Sequence, residues 1–245
     1  MKLKPFIIAL FLLFCGTINA QNAHFWDGIE AFDGPTDENP VLAAQIDFYF
    51  DKMVAPLPDS ITPEIDRLVE RTSFNPDLRD FILWHLLEKY RHPEYMSQDQ
   101  VFVFLYDQYF SKLEIKDLNE LNRSLIKQKA DRLRRLALLN PAPEIKIGDS
   151  IYLQAIESDY TVLFFYDHDC DLCQKEMQDL DSVCAVRPGI TVLAIDMNTD
   201  DVRFDILYDL YDIETTPLIY VLDRDKRIIA KKIRARQIEL VVDSF

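Results

Sequence analysis

Thr161-Val162-Leu163-Phe164-Phe165-Tyr166-Asp167-His168-Asp169-Cys170-Asp171-Leu172-Cys173 is the stretch from which the rest of the chain is read. Its first half is an apolar, aromatic run of strand length, and it stops abruptly at Asp167-His168-Asp169. A Cys-x-x-Cys pair follows, after which Leu172, Met177, Leu180 and Val183 recur at helical intervals. The sequence therefore predicts a buried strand that delivers two cysteines to the first turn of a helix. A spacing of three puts both sulfurs on one face, close enough for a disulfide. It also leaves the first cysteine at the positive end of the helix dipole. A thiolate there is the species that attacks other disulfides.

Outward from this stretch, cysteine usage points the same way. Met1-Lys2-Lys4, an apolar core from Phe6 to Phe14 and then Thr17-Ile18-Asn19-Ala20 predict a cleaved signal peptide over residues 1–20. The apolar core is too short to span a bilayer, and no later segment could span one, so no integral membrane segment is expected in the mature chain. A lipoprotein signal acylated at Cys15 is the rival reading, but bulky Phe14 stands where such a site wants a small residue. Export implies a compartment in which disulfides persist, and a periplasmic location is expected. Of 4 cysteines, Cys170, Cys173 and Cys184 would remain, one pair plus an odd thiol rather than a disulfide framework. Cys184, flanked by Val183 and Val186, reads as a packing cysteine.

The formal charge is −15, and two units more negative once Lys2 and Lys4 depart. Nucleic acid and anionic membrane surfaces are excluded as partners on that ground. With 5 Gly and no Gly-rich loop before a helix, no nucleotide cradle is expected either.

Residues 21–140 have a helical texture. Leu42, Ile46, Tyr49, Phe50 and Met53 form one apolar face after Pro40, stopped by Pro56 and Pro58. Ser60 to Glu64 then restarts a helix with Pro63 in its first turn, and Asn75-Pro76 begins a third that runs to His92-Pro93. Ser97 is expected to cap a fourth, through Tyr109, and a fifth spans Asp117 to about Leu139. These stripes follow the packing period of a helical bundle, and His85 reads as a packing histidine without a second metal ligand one turn away. Gln21 to Asn39 reads as an irregular lead that packs Phe25, Trp26 and Phe32 onto the bundle. The texture changes near Asn140-Pro141, and residues 141–245 alternate strands with helices. A short hairpin (Ile145–Ile147, Ile151–Leu153) precedes strands Thr161–Tyr166 and Ile190–Ile195, which flank a helix from Cys173 to Val186. A helix capped at Asp200-Asp201, strands Leu218–Leu222 and Ile228–Ile233, and a short closing helix follow.

The chain thus reads as an all-α helical bundle domain followed by an α/β domain, and the latter looks like a thioredoxin fold. Residues 141–245 resemble the secreted thioredoxin-like thiol–disulfide oxidoreductases of Gram-negative bacteria, of the thiol-specific-antioxidant and cytochrome-c-maturation type. The motifs are Ala142-Pro143-Glu144-Ile145, Phe164-Phe165-Tyr166 before Cys170-x-x-Cys173, Glu176, Thr216-Pro217, Tyr220-Val221-Leu222-Asp223 and Ile228-Ile229-Ala230-Lys231. Residues 21–140 resemble more loosely a helical domain of uncharacterised role that precedes such domains. The resemblance implies Cys170 as the attacking thiolate and Cys173 as the thiol that resolves the mixed disulfide. It implies Pro217 as a cis-proline opposite them, and Thr216 as the residue whose backbone pairs with an extended substrate. It further suggests Glu176 as a proton acceptor for Cys173, against the bland reading of an exposed acid in a helix's early turns. No cofactor is required, since the dithiol carries both electrons. The expected partners are cysteine-containing exported proteins and an unidentified electron donor.

Two departures stand out. Asp167-His168-Asp169 replaces the family's tryptophan region, with Asp171-Leu172 between the cysteines, and Lys226 stands where the turn after Asp223 usually carries glycine. The three aspartates disfavour a thiolate between them, against the helix end and His168, so a reducing potential is expected. Peroxidase chemistry lacks the required threonine or serine, since Asp167 holds that place, and zinc lacks a second paired-ligand motif. The reading from a different class is a partner-binding module on a redox-responsive or degenerate thioredoxin scaffold.

Overall fold

The computed structural model describes residues 25–27, 39–147, 151–198 and 205–245. The signal segment with Cys15, most of the aromatic lead including Phe32, and the Asp200-Asp201 cap lie outside the described residues.

Helices α1 (Pro40–Lys52), α2 (Pro58–Arg71) and α3 (Pro76–Lys89) follow one another. Asn39 and Asn75 begin α1 and α3 by the same chemistry. Each side chain accepts the N–H three residues on, at 3.0 and 3.2 Å, and a proline with no N–H to satisfy follows at once. α2 starts earlier than the sequence predicts: Pro58 supplies its first turn, which leaves Pro63 inside the helix. These helices, with residues 115–117, form one compact unit. Its core contains Leu42, Ile46, Ile61, Ile65, Leu78 and Ile82, and Trp26 packs its ring 4.8 Å from that of Tyr49. Buried Asp80 accepts the Lys116 N–H at 2.8 Å, and the Trp84 indole donates to the Lys116 carbonyl at 2.9 Å. His85 stacks on Phe81 and meets the Asp47 carboxylate at 3.0 Å.

A second compact unit contains residues 91–114 and 118–245. It includes two helices that the sequence texture groups with those before them, α4 (Asp99–Leu105) and α5 (Glu120–Arg135). Ser97 does not cap α4; Gln98 precedes the first turn with no side-chain bond, and a π-helical turn, Tyr106–Phe110, takes over where a continuous helix is expected. α5 is shorter than the 117–139 expectation at both ends. Asn119 caps it through the Asn122 N–H, and the Asn140 amide donates to the carbonyl of Arg134 at its end.

The strands are β1 (Lys146–Ile147), β2 (Ile151–Tyr152), β3 (Tyr160–Tyr166), β4 (Ile190–Asp196), β5 (Leu218–Leu222) and β6 (Ile228–Lys231). β1 and β2 form the expected hairpin. The others make a mixed sheet in the order β4-β3-β5-β6, with β3 parallel to β4 and antiparallel to β5. Helix α6 (Asp171–Val186) is the crossover between the parallel strands; α7 (Asp205–Leu210) and α8 (Ile238–Val242) complete the unit. β3 is apolar on both faces because both are covered. Leu163 and Phe165 enter a core with Leu136, Ile195, Tyr211 and Tyr220, whereas Val162 and Phe164 pack with Cys173, Leu180, Ile229 and Ile238. Lys226 occupies the glycine position of the β5–β6 turn at φ 60°, with its N–H bonded to the Asp223 carbonyl at 3.0 Å. The turn keeps its left-handed residue despite the Cβ.

Candidate functional site

The site is built at the carboxyl ends of β3 and β4. β3 ends at Tyr166, and the chain turns through Asp167-His168-Asp169 into α6, whose N-cap is Cys170. The Cys170 backbone is extended (φ −97°, ψ 113°), and its Sγ accepts the Cys173 N–H at 3.2 Å. Sulfur thus stands where a serine or aspartate oxygen otherwise caps a helix, at the positive end of the dipole. Cys170 is part-buried, Cys173 is fully buried behind it, and both are free thiols. Burial pushes the Cys173 thiol up. The Thr216–Pro217 peptide is cis. The cysteine turn and the proline loop are brought together: Leu172, between the cysteines, and Thr216-Pro217 line one pocket.

Glu176 is not the exposed acid of the bland reading. It is 5% exposed; one carboxylate oxygen accepts the Ala235 N–H at 2.7 Å and the other meets Arg234 Nη1 at 3.4 Å. It ties α6 to the 3-10 turn Ala235–Gln237. Cys184 is part-buried against the same core as Cys173, and burial pushes its thiol up too.

The acidic collar is organised rather than loose. The Asp167 carboxylate accepts the Asp169 N–H at 2.9 Å, and the Asn198 amide donates to Asp167 and Asp169 at 3.2 Å each. His168 Nδ1 lies 2.9 Å from Asp196 Oδ2. Asp196 and Asn198 escaped the sequence reading, although the parallel register offered a signal: Tyr166 pairs with Asp196, so both strand ends open onto the same turn. The Asp196 hydrogen bond, followed by the charge of Asp169, raises the His168 pKa above its ordinary 6.5. The imidazolium–carboxylate contact is therefore complete below that value and is lost as pH rises through the raised one. An NMR titration should place the His168 midpoint above 6.5, and Asp196→Asn should bring it back down.

Beside the cysteine turn lies a pocket of about 310 Å³, bounded by Leu172, Glu176, Thr216-Pro217, Lys232 to Arg234, and His92-Pro93. Among the described residues no group of three or more His, Cys, Asp and Glu side chains is placed to hold a metal ion. No described helix is long and apolar enough to cross a membrane.

This fold, with a Cys-x-x-Cys helix start beside a cis-proline loop, is a thioredoxin-like fold. A thioredoxin-like protein from Bacteroides caccae has a similar crystal structure, with a TM-score of 0.72 at 17% identity over 93% of each chain. Two shorter structures match at lower scores. The thioredoxin domain of a thiol-disulfide oxidoreductase from Bacteroides vulgatus has a TM-score of 0.39 at 23% identity, over 45% of this chain and 98% of its own. A thiol:disulfide interchange protein from a Bacteroides species has 0.37 at 23% identity, over 45% and 90%. At these identities the likeness is one of fold. Residues 149–231 match TraF, the F plasmid transfer operon protein family. No curated protein matches the chain in sequence.

Proposed function

We propose that this protein is a thiol–disulfide oxidoreductase acting on cysteines of other exported polypeptides. Cys170 attacks a substrate disulfide; one substrate sulfur leaves as a thiolate and the other is held in a mixed disulfide. The Cys173 thiolate then attacks the Cys170 sulfur, releasing the second substrate thiolate and leaving Cys170 and Cys173 joined. Two electrons have passed to the substrate, and a dithiol donor must restore the pair.

The observation that carries this reading is the stacking of roles on one helical turn. A part-exposed sulfur at the helix N-cap has a fully buried thiol directly behind it, and Leu172, between the two cysteines, lines one pocket with the cis-proline. An open sulfur can meet a macromolecular disulfide, and a hidden one can reach only its neighbour. Thr216 supports substrate pairing by offering backbone groups beside the disulfide. The acids around Cys170 support the reducing direction.

Reduction of insulin disulfides by dithiothreitol should accelerate with the wild-type protein and fall to background with Cys170→Ser. Equal rates for the two proteins would leave the partner-binding module as the better reading. A redox titration should give a potential on the reducing side; one as oxidising as that of a dedicated disulfide-forming enzyme would reverse the direction.

A further inference from the structure

The pocket beside Thr216 has a charge arrangement that a simple peptide groove does not need. Asp212, 2% exposed, lies at its floor and accepts from Arg132 Nε at 3.0 Å, Lys232 Nζ at 3.2 Å and Lys129 Nζ at 3.3 Å. Burial works against its ionisation, yet Lys232, Lys129 and Arg132 outweigh that and lower its pKa. Lys129 also reaches Glu214 at 2.5 Å, and His92 meets the other oxygen of Glu214 at 2.8 Å. The third carboxylate, Glu176, is occupied by the Ala235 N–H. The pocket's anions are thus buried or already bonded. Its cations are not spent: an ammonium has three donors and a guanidinium five. Among the described residues, Lys232 uses its head on Asp212, and Arg234, 56% exposed, makes one long contact of 3.4 Å to Glu176.

Arg132 is shared with Asp209 at 2.7 Å, so the charges behind the pocket are balanced, and Arg234, lining the same pocket as the cis-proline, is the cation held most loosely. We propose that the pocket receives an acidic side chain of the substrate polypeptide, positioned near the cysteine under attack. The inference rests on the disulfide-exchange reading and adds the substrate class. Arg234 and Lys232 are the groups that would pair with the incoming carboxylate. The collar of Asp167, Asp169 and Asp171 repels acids, so it sets polarity: acidic residues are accepted toward the pocket and rejected toward the collar.

Disulfide-bonded peptides that differ only in Glu, Gln or Lys at positions flanking the cysteine test this. At one flanking position the Glu peptide should have a kcat/KM roughly 3- to 10-fold above the Gln peptide, with Lys lowest. Added salt should shrink the difference. Arg234→Gln should reduce the Glu preference, and Arg234→Glu should invert it. Equal rates for Glu and Gln peptides at every position, or a preference unchanged by Arg234→Gln, would overturn the proposal. If no peptide is reduced in a Cys170-dependent way, the exchange reading itself fails. The pocket is then judged by NMR titration of Cys170→Ser protein with serine-for-cysteine peptides. Stronger binding of the Glu peptide with shifts at Thr216 and Arg234 sustains the pocket, and indifference to Glu or Gln removes it.

Discussion

Cys173→Ser is expected to stop the reaction halfway, with Cys170 covalently held to its natural partners. The resolving thiol lies one turn from Cys170 on the same helix, and its backbone N–H already bonds the Cys170 sulfur at 3.2 Å. Attack from that position is intramolecular, and well-oriented intramolecular groups act as though at roughly 10⁵ M or more. Any external thiol is far more dilute, so release should slow by about a thousandfold or more, long enough for identification by mass spectrometry. Burial keeps the Cys173 thiol above its ordinary value. In the wild type the resolving step should therefore still be accelerating as pH rises above the ordinary thiol range, because the attacking thiolate is still increasing. A Cys173→Ser protein that captures no partner, or that turns over like wild type, contradicts the assigned order of attack.

The second large effect is on stability. Lys231 on β6 is 1% exposed, and its ammonium bonds the Asp99 carboxylate and the Leu136 carbonyl. Asp99, also 1% exposed, begins α4. Removing one partner leaves a charge in the interior without its counterion, so Asp99→Ala should cost about 3–5 kcal/mol in urea unfolding at neutral pH. Replacing both, Asp99→Leu with Lys231→Met, should restore most of that loss, since apolar groups of similar size carry no desolvation cost. The sign of the pH effect follows from Lys231. Burial lowers its pKa below 10.5, and Asp99 opposes that. The folded state thus binds fewer protons than the unfolded one between the lowered value and 10.5, and stability rises with pH across that window. Without Asp99 the lowered value falls further and the window widens. The deficit of Asp99→Ala should therefore narrow as pH is raised toward 10. A deficit that does not depend on pH would mean that the cost comes from packing rather than from the stranded charge.

The two effects differ in how far the sequence exposed them. The cysteine turn was legible because its determinants are neighbours in the chain: an apolar strand, a polar stop, two cysteines three apart and a 3.6-residue period. The parallel pairing of β3 and β4 followed from two apolar runs and one crossover helix. The ends of α4 and α5 were misplaced because local preference did not decide them. Gln98 precedes the first without a side-chain bond, and the left-handed Leu139 (φ 67°) and the Asn140 amide close the region after the second. Glu176 was visible as a candidate, but its burial was not, because Ala235 lies 59 residues away.

The sequence by itself determined the strands, the crossover helix and the cysteine turn at its start, since each is written in short-range pattern, whereas Thr216-Pro217 became their companion only through the family resemblance. Only the tertiary structure decided which charges meet. Asp99 and Lys231 are 132 positions apart, Lys129 and Asp212 are 83 apart, and His168 and Asp196 are 28 apart. An ion pair has no periodicity along a chain. Its partners are selected by the packing that encloses them, and the pocket beside the cysteines takes its electrostatic character from that selection.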